Sequence, residues 1–274
     1  TQHAVALMCR VLTVARSGYY GWRGRAPSDR ARAHLATAVH RVFAEHQGRA
    51  GAPRIARQLR DEGQTVGNHA VARVMRSECL RAKAAKKDKA TTNSNHNLPV
   101  APNRLEQDFT ATAPNRKWVS DITDIRTDAG WLYLAVVLDL YSRRVVGWAM
   151  GERMTARLVC EALTLAPWRR KMPTGVIVHS DRGSQYCSAD YQRLLLKHRW
   201  RCSMSKKGDC YDNAAMESWN HSLKVEAIHG ERFVTREAAK AQVFEYIEVY
   251  YNRKRLHSTL GYLSPEAFEA RQAA

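Results

Sequence analysis

Three acidic residues stand where chemistry could be built: Asp121 in W-V-S-D-I-T, Asp181 in H-S-D-R-G-S-Q-Y and Glu217 in D-N-A-A-M-E-S-W-N. Each sits beside an apolar run, where an unpaired carboxylate is costly to desolvate unless something positive shares its site. Mg²⁺ prefers near-octahedral oxygen coordination and keeps several waters, so two or three carboxylates plus a substrate phosphate suit it. Two such ions about 3.5–4 Å apart activate a nucleophile and stabilise the leaving oxygen of an in-line phosphodiester displacement. Converging acids in a basic chain therefore point to a divalent-cation site acting on phosphates. Singly, each acid also has a plainer reading: Asp181 as a turn former, Glu217 as an exposed helix acid, Asp121 as the partner of an arginine.

Rival acids must be weighed against them. Asp139, in L-D-L-Y-S-R, stands at a strand-to-turn junction and is expected to order that turn. Asp124 lies three residues after Asp121, so on a strand it faces the opposite side. Asp209 and Asp212 precede Glu217 in a loop, where helix capping is the simpler role. Lys224 follows Glu217 by seven residues, two helical turns along nearly the same face. An ammonium there would hold a DNA phosphate beside the acids; an ordinary surface lysine would look the same.

The elements that position these groups are legible from 117 onward. W-V-S-D-I-T-D-I, W-L-Y-L-A-V-V-L-D-L and R-R-V-V-G-W-A-M read as β-strands separated by turn residues, giving hairpin-connected antiparallel pairs. A helix is expected from Thr155 to about Trp168, a short buried strand at 176–180, a helix at 188–198, a strand in R-C-S-M-S, and a helix bearing Glu217. Three meandering strands followed by alternating helix and strand describe an α/β domain with a mixed five-stranded sheet flanked by helices, the ribonuclease-H-like order. In that order the centre of the first strand neighbours the end of the fourth, and the Glu217 helix can pack across both.

The 274 residues carry a net charge of +18 at pI 10.0, which points to a polyanion partner, most simply nucleic acid. Residues 1–103 hold 18 Lys+Arg against 6 Asp+Glu, and residues 104–274 hold 26 against 20. The first third thus looks like a DNA-gripping region and the rest like a nearly balanced enzyme domain. Residues 17–25 read as a short aromatic, glycine-rich turn, followed by a helix over roughly 28–46. G-A-P-R-I-A-R-Q-L-R-D-E-G and the helix from Asn68 then resemble a helix-turn-helix, whose second helix would enter a major groove. Arg54, Arg57, His69, Arg73 and Arg76 are its candidate DNA contacts.

The expected organisation is a helical DNA-binding region over 1–80 with the helix-turn-helix at about 51–79. A basic, polar linker over 81–103 bearing Lys86 and Lys87 follows, then a catalytic core over 104–230 and a C-terminal helical basic extension over 231–274. In that extension Phe244, Ile247 and Tyr251 line one helical face, and Asn252, Arg253, Lys254, Arg255 and His257 follow as a cluster for DNA-backbone or partner contacts. A packed terminal helix with solvated charges is the alternative.

The six cysteines form no C-x-x-C pair and read as reduced and mostly buried. His34, His40 and His46 lack the paired thiols of a structural zinc site, so no zinc is expected. No run of 18 apolar residues occurs, and the charged start is unlike a signal peptide, so a cytoplasmic protein associated with the bacterial nucleoid and away from membranes is expected.

Together these residues resemble the transposases of the IS3 insertion-sequence family, relatives of retroviral integrases. The likeness spans nearly the whole chain. S-G-Y-Y-G-W resembles the family's entry segment, and G-A-P-R-I-A-R-Q-L-R…V-A-R-V-M-R its helix-turn-helix. A-P-N-R-K-W-V-S-D-I-T and D-L-Y-S-R-R-V-V-G-W resemble the opening of its integrase core, H-S-D-R-G-S-Q-Y and Y-D-N-A-A-M-E-S-W-N-H-S-L-K-V-E its later catalytic motifs, and Y-I-E-V-Y-Y-N-R-K-R-L-H-S-T-L-G-Y-L-S-P-E its ending. Thirty-five residues lie between Asp181 and Glu217, the spacing of the superfamily's D-D-E signature.

The resemblance implies Asp121, Asp181 and Glu217 as catalytic metal ligands for Mg²⁺, with Mn²⁺ as a substitute, and Lys224 as the basic residue beyond the glutamate. It implies cleavage that frees a 3′-hydroxyl at the terminal inverted repeats, strand transfer by that hydroxyl, and passage through a circular intermediate. The reaction exchanges bonds without ATP, and no G-x-x-x-x-G-K-[ST] loop occurs. Implied partners are double-stranded DNA at element ends and target, further copies in a dimer or higher multimer, and an upstream helix-turn-helix and coiled-coil segment made by frameshift. Asp124 departs from the family pattern, standing where relatives often carry an aromatic residue.

Overall fold

In a computed structural model, which describes residues 4–24, 29–83, 99–206 and 210–273, the chain divides into a unit over Thr1–Ala82 and a unit over Lys83–Ala274. The first unit is helical: α1 (Val5–Val11), α2 (Arg16–Gly24), α3 (Asp29–Glu45), α4 (Ala52–Asp61) and α5 (Asn68–Ser77). Pro53 falls in the first turn of α4, where its missing N–H costs nothing, and Gly63 takes up φ +88° after the helix ends. Ile55 and Leu59 of α4, Val71, Val74 and Met75 of α5, and Val39 and Val42 of α3 make one buried cluster. The segment at 17–25, read from sequence as a turn, is helical through Gly24. Glycine's penalty in a helix is entropic rather than steric, and Tyr19 and Tyr20 pack edge to face there.

The second unit is built on a five-stranded sheet in the order β3-β2-β1-β4-β5. The strands are β1 (Lys117–Thr127), β2 (Gly130–Asp139), β3 (Val145–Gly151), β4 (Ile177–Ser180) and β5 (Arg201–Met204). β1, β2 and β3 pair antiparallel, whereas β4 lies parallel to both β1 and β5. The domain is ribonuclease-H-like, as expected.

Strand alternation sorts the core into two layers. Val119 and Ile125 of β1 join Leu132, Leu134, Val136 and Leu138 of β2 under α8 (Ala214–Leu223), α9 (Arg236–Phe244) and the π-helical turn Glu245–Tyr251. Trp118, Ala135, Val137 and Val178 face α6 (Ala156–Arg169) and α7 (Ala189–Lys197) on the other side. Gly147 is what lets β3 approach α6: a Cβ there would stand 2.2 Å from the Ala162 carbonyl oxygen. The helix α10 (Pro265–Ala273) closes the described chain.

Asp139 does order its turn. Its carboxylate accepts from the amides of Asn115 (2.8 Å) and Tyr141 (3.0 Å) and from Arg170 (2.7 Å), which also binds Glu269 of α10. The segment read as a C-terminal extension completes the core instead, with Phe233, Ala239, Val243, Tyr246, Ile247, Tyr250 and Tyr251 buried in it. Phe244, expected on one helical face with Ile247 and Tyr251, is 52% exposed while those two are buried. It stands at the edge of the buried stripe formed by Val243, Tyr246, Ile247 and Tyr250, packing edge to face on Trp148, and the helix switches to π geometry just after it. Among the described residues, no helix is long and apolar enough to cross a membrane.

Candidate active site

The register of β1 on β4 sets the centre. Val119 pairs with His179, so two residues further along each strand Asp121 and Asp181 come side by side. Asp181 falls just past the end of β4, where its Oδ1 accepts the amide of Gly183 at 2.9 Å. A side chain at Gly183 would crowd that oxygen, its Cβ only 3.0 Å away. Asp121 sits at mid-strand facing α8, and Asn220 of that helix donates to its Oδ2 at 2.8 Å. Glu217 is exposed on the first turn of α8.

The electrostatics tie the three together. The Asp121 carboxyl is pushed up to about 7, first by burial and then by the Asp181 charge, with Glu217 adding to it. The Ile122 amide and Asn220 pull the other way. The side chain is only half-hidden from solvent, yet protein crowds it closely enough that lost hydration dominates.

Glu217 is the exposed member of the three, whereas Asp121 and Asp181 are partly buried. As they stand, no three His, Cys, Asp or Glu side chains among the described residues are drawn tightly enough to hold an ion. The donor set still fits a hard divalent cation. It is all oxygen, and burial together with the neighbouring Asp181 charge disfavours an uncompensated carboxylate at Asp121, which a cation would relieve.

Several supports were not singled out from sequence. Asn220 lies three residues after Glu217, hence on the same helical face, and that spacing was the available signal. Asn213 donates to the Ser120 carbonyl (3.4 Å), tying the start of α8 to β1. His179 bridges Ser203 (2.8 Å) and Ser205 (3.2 Å), and burial lowers it to about 4, so it is neutral and structural. Asp212 is not the helix cap expected of it. It is buried and accepts from the Lys206 amide (2.6 Å) and from Asn103 (3.0 Å), pinning both ends of the loop. Asp209 lies outside the described residues.

The basic residues separate into engaged and available. Lys224 opens a π-helical turn, Lys224–Ile228, and its Nζ stands 3.8 Å from Asp124. Arg255, proposed from sequence as a DNA contact, is buried. Its Nε donates to both oxygens of Glu226 (3.0 and 2.8 Å), and its Nη2 to Glu226 (2.8 Å) and Ser222 (3.0 Å). A buried guanidinium needs such a partner and is withdrawn from DNA. Arg253 and Lys254 stay exposed, Arg253 at 3.5 Å from Glu266.

In the first unit His69, Arg73 and Arg76 project from α5 into solvent. Arg57 is held by Asp61 at 2.9 Å, and half-buried Arg54 donates to the Arg49 carbonyl at 3.3 Å. Lys86 and Lys87 lie outside the described residues.

Comparison with known proteins agrees in extent. The family described as integrase core domain matches residues 111–210, a second family of that description matches 217–272, and the HTH-like domain family matches 30–88. The chain is 53% identical over 277 residues to "Transposase InsF for insertion sequence IS3A" of Escherichia coli (strain K12), covering 100% of this chain and 96% of that protein. It is 47% identical over 263 residues to the "Insertion element IS600 uncharacterized 31 kDa protein" of Shigella sonnei, covering 95% and 97%. Among solved structures it is similar to a simian T-cell lymphotropic virus intasome in complex with PP2A regulatory subunit B56 gamma (TM-score 0.47, 14% identity, covering 84% of this chain and 74% of that one). It is also similar to the HTLV-2 integrase catalytic core domain in complex with magnesium (TM-score 0.40, 14% identity, covering 58% and 98%).

Proposed function

This chain belongs to the IS3 family of insertion-sequence transposases, and from that premise we propose that it cleaves and joins DNA at the element's terminal inverted repeats with Asp121, Asp181 and Glu217 as its catalytic metal ligands. The observation that supports this reading is geometric: the β1/β4 register sets Asp121 beside Asp181, and Asn220 of the helix that carries Glu217 donates to Asp121, in a +18 chain. Mg²⁺, for which Mn²⁺ can substitute, would supply there the positive charge that offsets the reacting phosphodiester. Asp181 is oriented by the Gly183 amide and Asp121 by Asn220, so both are aimed before DNA arrives. Lys224 holds a neighbouring phosphate.

In the first step a water oxygen bonds to phosphorus as the bond to the 3′ oxygen breaks and that oxygen takes a proton. In the second the freed 3′-hydroxyl attacks another phosphodiester, exchanging one P–O bond for another with no need of ATP. Joining one end to the other in this way would give a circular intermediate. Holding two ends at once requires more than one copy, so a dimer or higher multimer is part of the proposal, as is pairing with an upstream frameshift segment. This chemistry belongs in the cytoplasm, at the nucleoid.

The test is to incubate the protein with pre-cleaved end DNA, a target duplex and Mg²⁺. Joined product, lost on chelation, is expected. Hydrolysis without joining would instead favour a ribonuclease-H-like nuclease, and metal-independent DNA binding alone would favour a repressor with an inert core.

Recognition of the ends is assigned to α5. Arg73 and Arg76 are free to reach base edges or phosphates, whereas Arg57 is already committed to Asp61. Arg73→Ala and Arg76→Ala should each weaken end binding by about 10- to 100-fold, and Arg57→Ala by roughly two-fold or less. Fluorescence anisotropy on end duplexes measures this, and equal losses for all three would sink the assignment.

A further inference from the structure

β1 is paired by β4 only over Lys117–Val119, so past Asp121 its edge on that side is not covered by a fourth strand. Asp124 lies in this stretch, opposite Tyr133 and on the α6/α7 face, the reverse of the face that Asp121 shares with α8. Lys224, at the end of α8, nevertheless reaches it: Nζ stands 3.8 Å from Asp124 Oδ1, with the two side chains 27% and 47% exposed. An intervening strand would block that path, and β4 stops at Ser180. Two residues further on, Arg126 is exposed on the same face as Asp124. Asp124 thus stands beside the Lys224 ammonium at the uncovered edge of β1.

We propose that Asp124 is the resident counter-ion of Lys224, holding its ammonium at the rim until a DNA phosphate takes its place. The inference rests on the reading of Lys224 as a phosphate contact. The chemistry favours exchange. A half-exposed pair at 3.8 Å is a weak ion pair, whereas an ammonium bound directly to phosphate makes a short, charge-assisted hydrogen bond. Until then Asp124 keeps the lysine ordered, and its charge opposes phosphates that approach without displacing it. The cost is affinity: part of Lys224's charge is already neutralised before DNA binds, so fewer DNA counter-ions are released on binding.

The test measures binding of the full chain to a labelled element-end duplex by anisotropy over a salt series, for wild type, Asp124→Asn, Lys224→Gln and the double variant. Asp124→Asn should bind roughly three-fold or more tighter, and its plot of log affinity against log salt should steepen by up to about 0.9, one phosphate contact's worth. Lys224→Gln should weaken binding, and Asp124→Asn should add nothing on that background. Wild-type affinity and slope in Asp124→Asn, with Lys224→Gln weakened, would overturn the inference and leave the Lys224 reading intact. Equal tightening on both backgrounds would make Asp124 a simple surface charge, which also overturns it. No effect of Lys224→Gln would remove the reading beneath it. Asp124→Ser, checked by its melting temperature, guards against a folding artefact.

Discussion

Asp121→Asn should reduce DNA joining by roughly 10³-fold or more and, without metal at pH 8, make the protein melt higher than wild type. Both effects follow from one carboxylate. Its folded-state value of about 7 stands well above the 3.8 of an unperturbed aspartate, so between about pH 4 and 7 the native state holds a proton the unfolded chain has released. Stability contributed by that proton is full below about pH 4, falls as pH rises through 7, and is gone above it.

An asparagine carries no charge to bury and keeps a polar group for Asn220 to meet. The melting temperature at pH 8 should rise by roughly 4 °C or more, and the slope between pH 5 and 8 should flatten. Divalent metal should raise the wild-type melting temperature at pH 8 and leave the variant unmoved. Glu217→Gln should abolish joining equally while sparing DNA binding. Its melting shift should be small, because Glu217 is exposed and acts on Asp121 least. Scanning calorimetry across pH, with and without Mg²⁺, measures this; an Asp121→Asn protein that melts below wild type at pH 8 would contradict it.

Asp121 was legible because it rides on a period-two strand. Alternation alone separates Asp121 from Asp124, and the structure does place them on opposite faces of β1. Alternation could not show that β4 stops short and lets Lys224 reach around to Asp124. That depends on a pairing length, which is a tertiary property. Helical counting was less secure where the period changed. Counting Phe244 to Tyr251 as one face assumes 3.6 residues per turn, yet π-helix begins at Glu245; Glu217 to Lys224, by contrast, runs along regular α8. Asp212 looked like a cap because capping is local, whereas its partner Asn103 is 109 residues away.

Arg255 shows the same limit with the largest cost to stability. In R-K-R it reads as one of three equivalent cations, but its neighbours Arg253 and Lys254 are exposed while it is sealed against Glu226 and Ser222. Glu226 is buried too and accepts a further bond from the Tyr246 hydroxyl (3.0 Å), with Arg255 supplying a guanidinium counter-charge at 2.8 Å. The hint in the sequence was a lone glutamate inside the apolar run L-K-V-E-A-I, which needs a cation from somewhere. Removing the guanidinium takes its counter-charge from a buried carboxylate and leaves a void beside Tyr251 and His257. Arg255→Ala should therefore destabilise the core by about 3–5 kcal/mol in urea titrations.

Arg253→Ala and Lys254→Ala, on the surface, should each stay within about 0.5 kcal/mol of wild type. DNA binding should sort the other way, with Lys254→Ala weakened at low salt and Arg255→Ala, measured below its melting transition, close to wild type. Replacing Arg255 and Glu226 together by leucine and methionine removes both charges at once and should recover much of the loss, because the penalty lies in the unpaired charge rather than in the missing bond. If Arg255→Ala were as stable as Lys254→Ala, the pair would not be the buried anchor of the π-turn that carries Lys224.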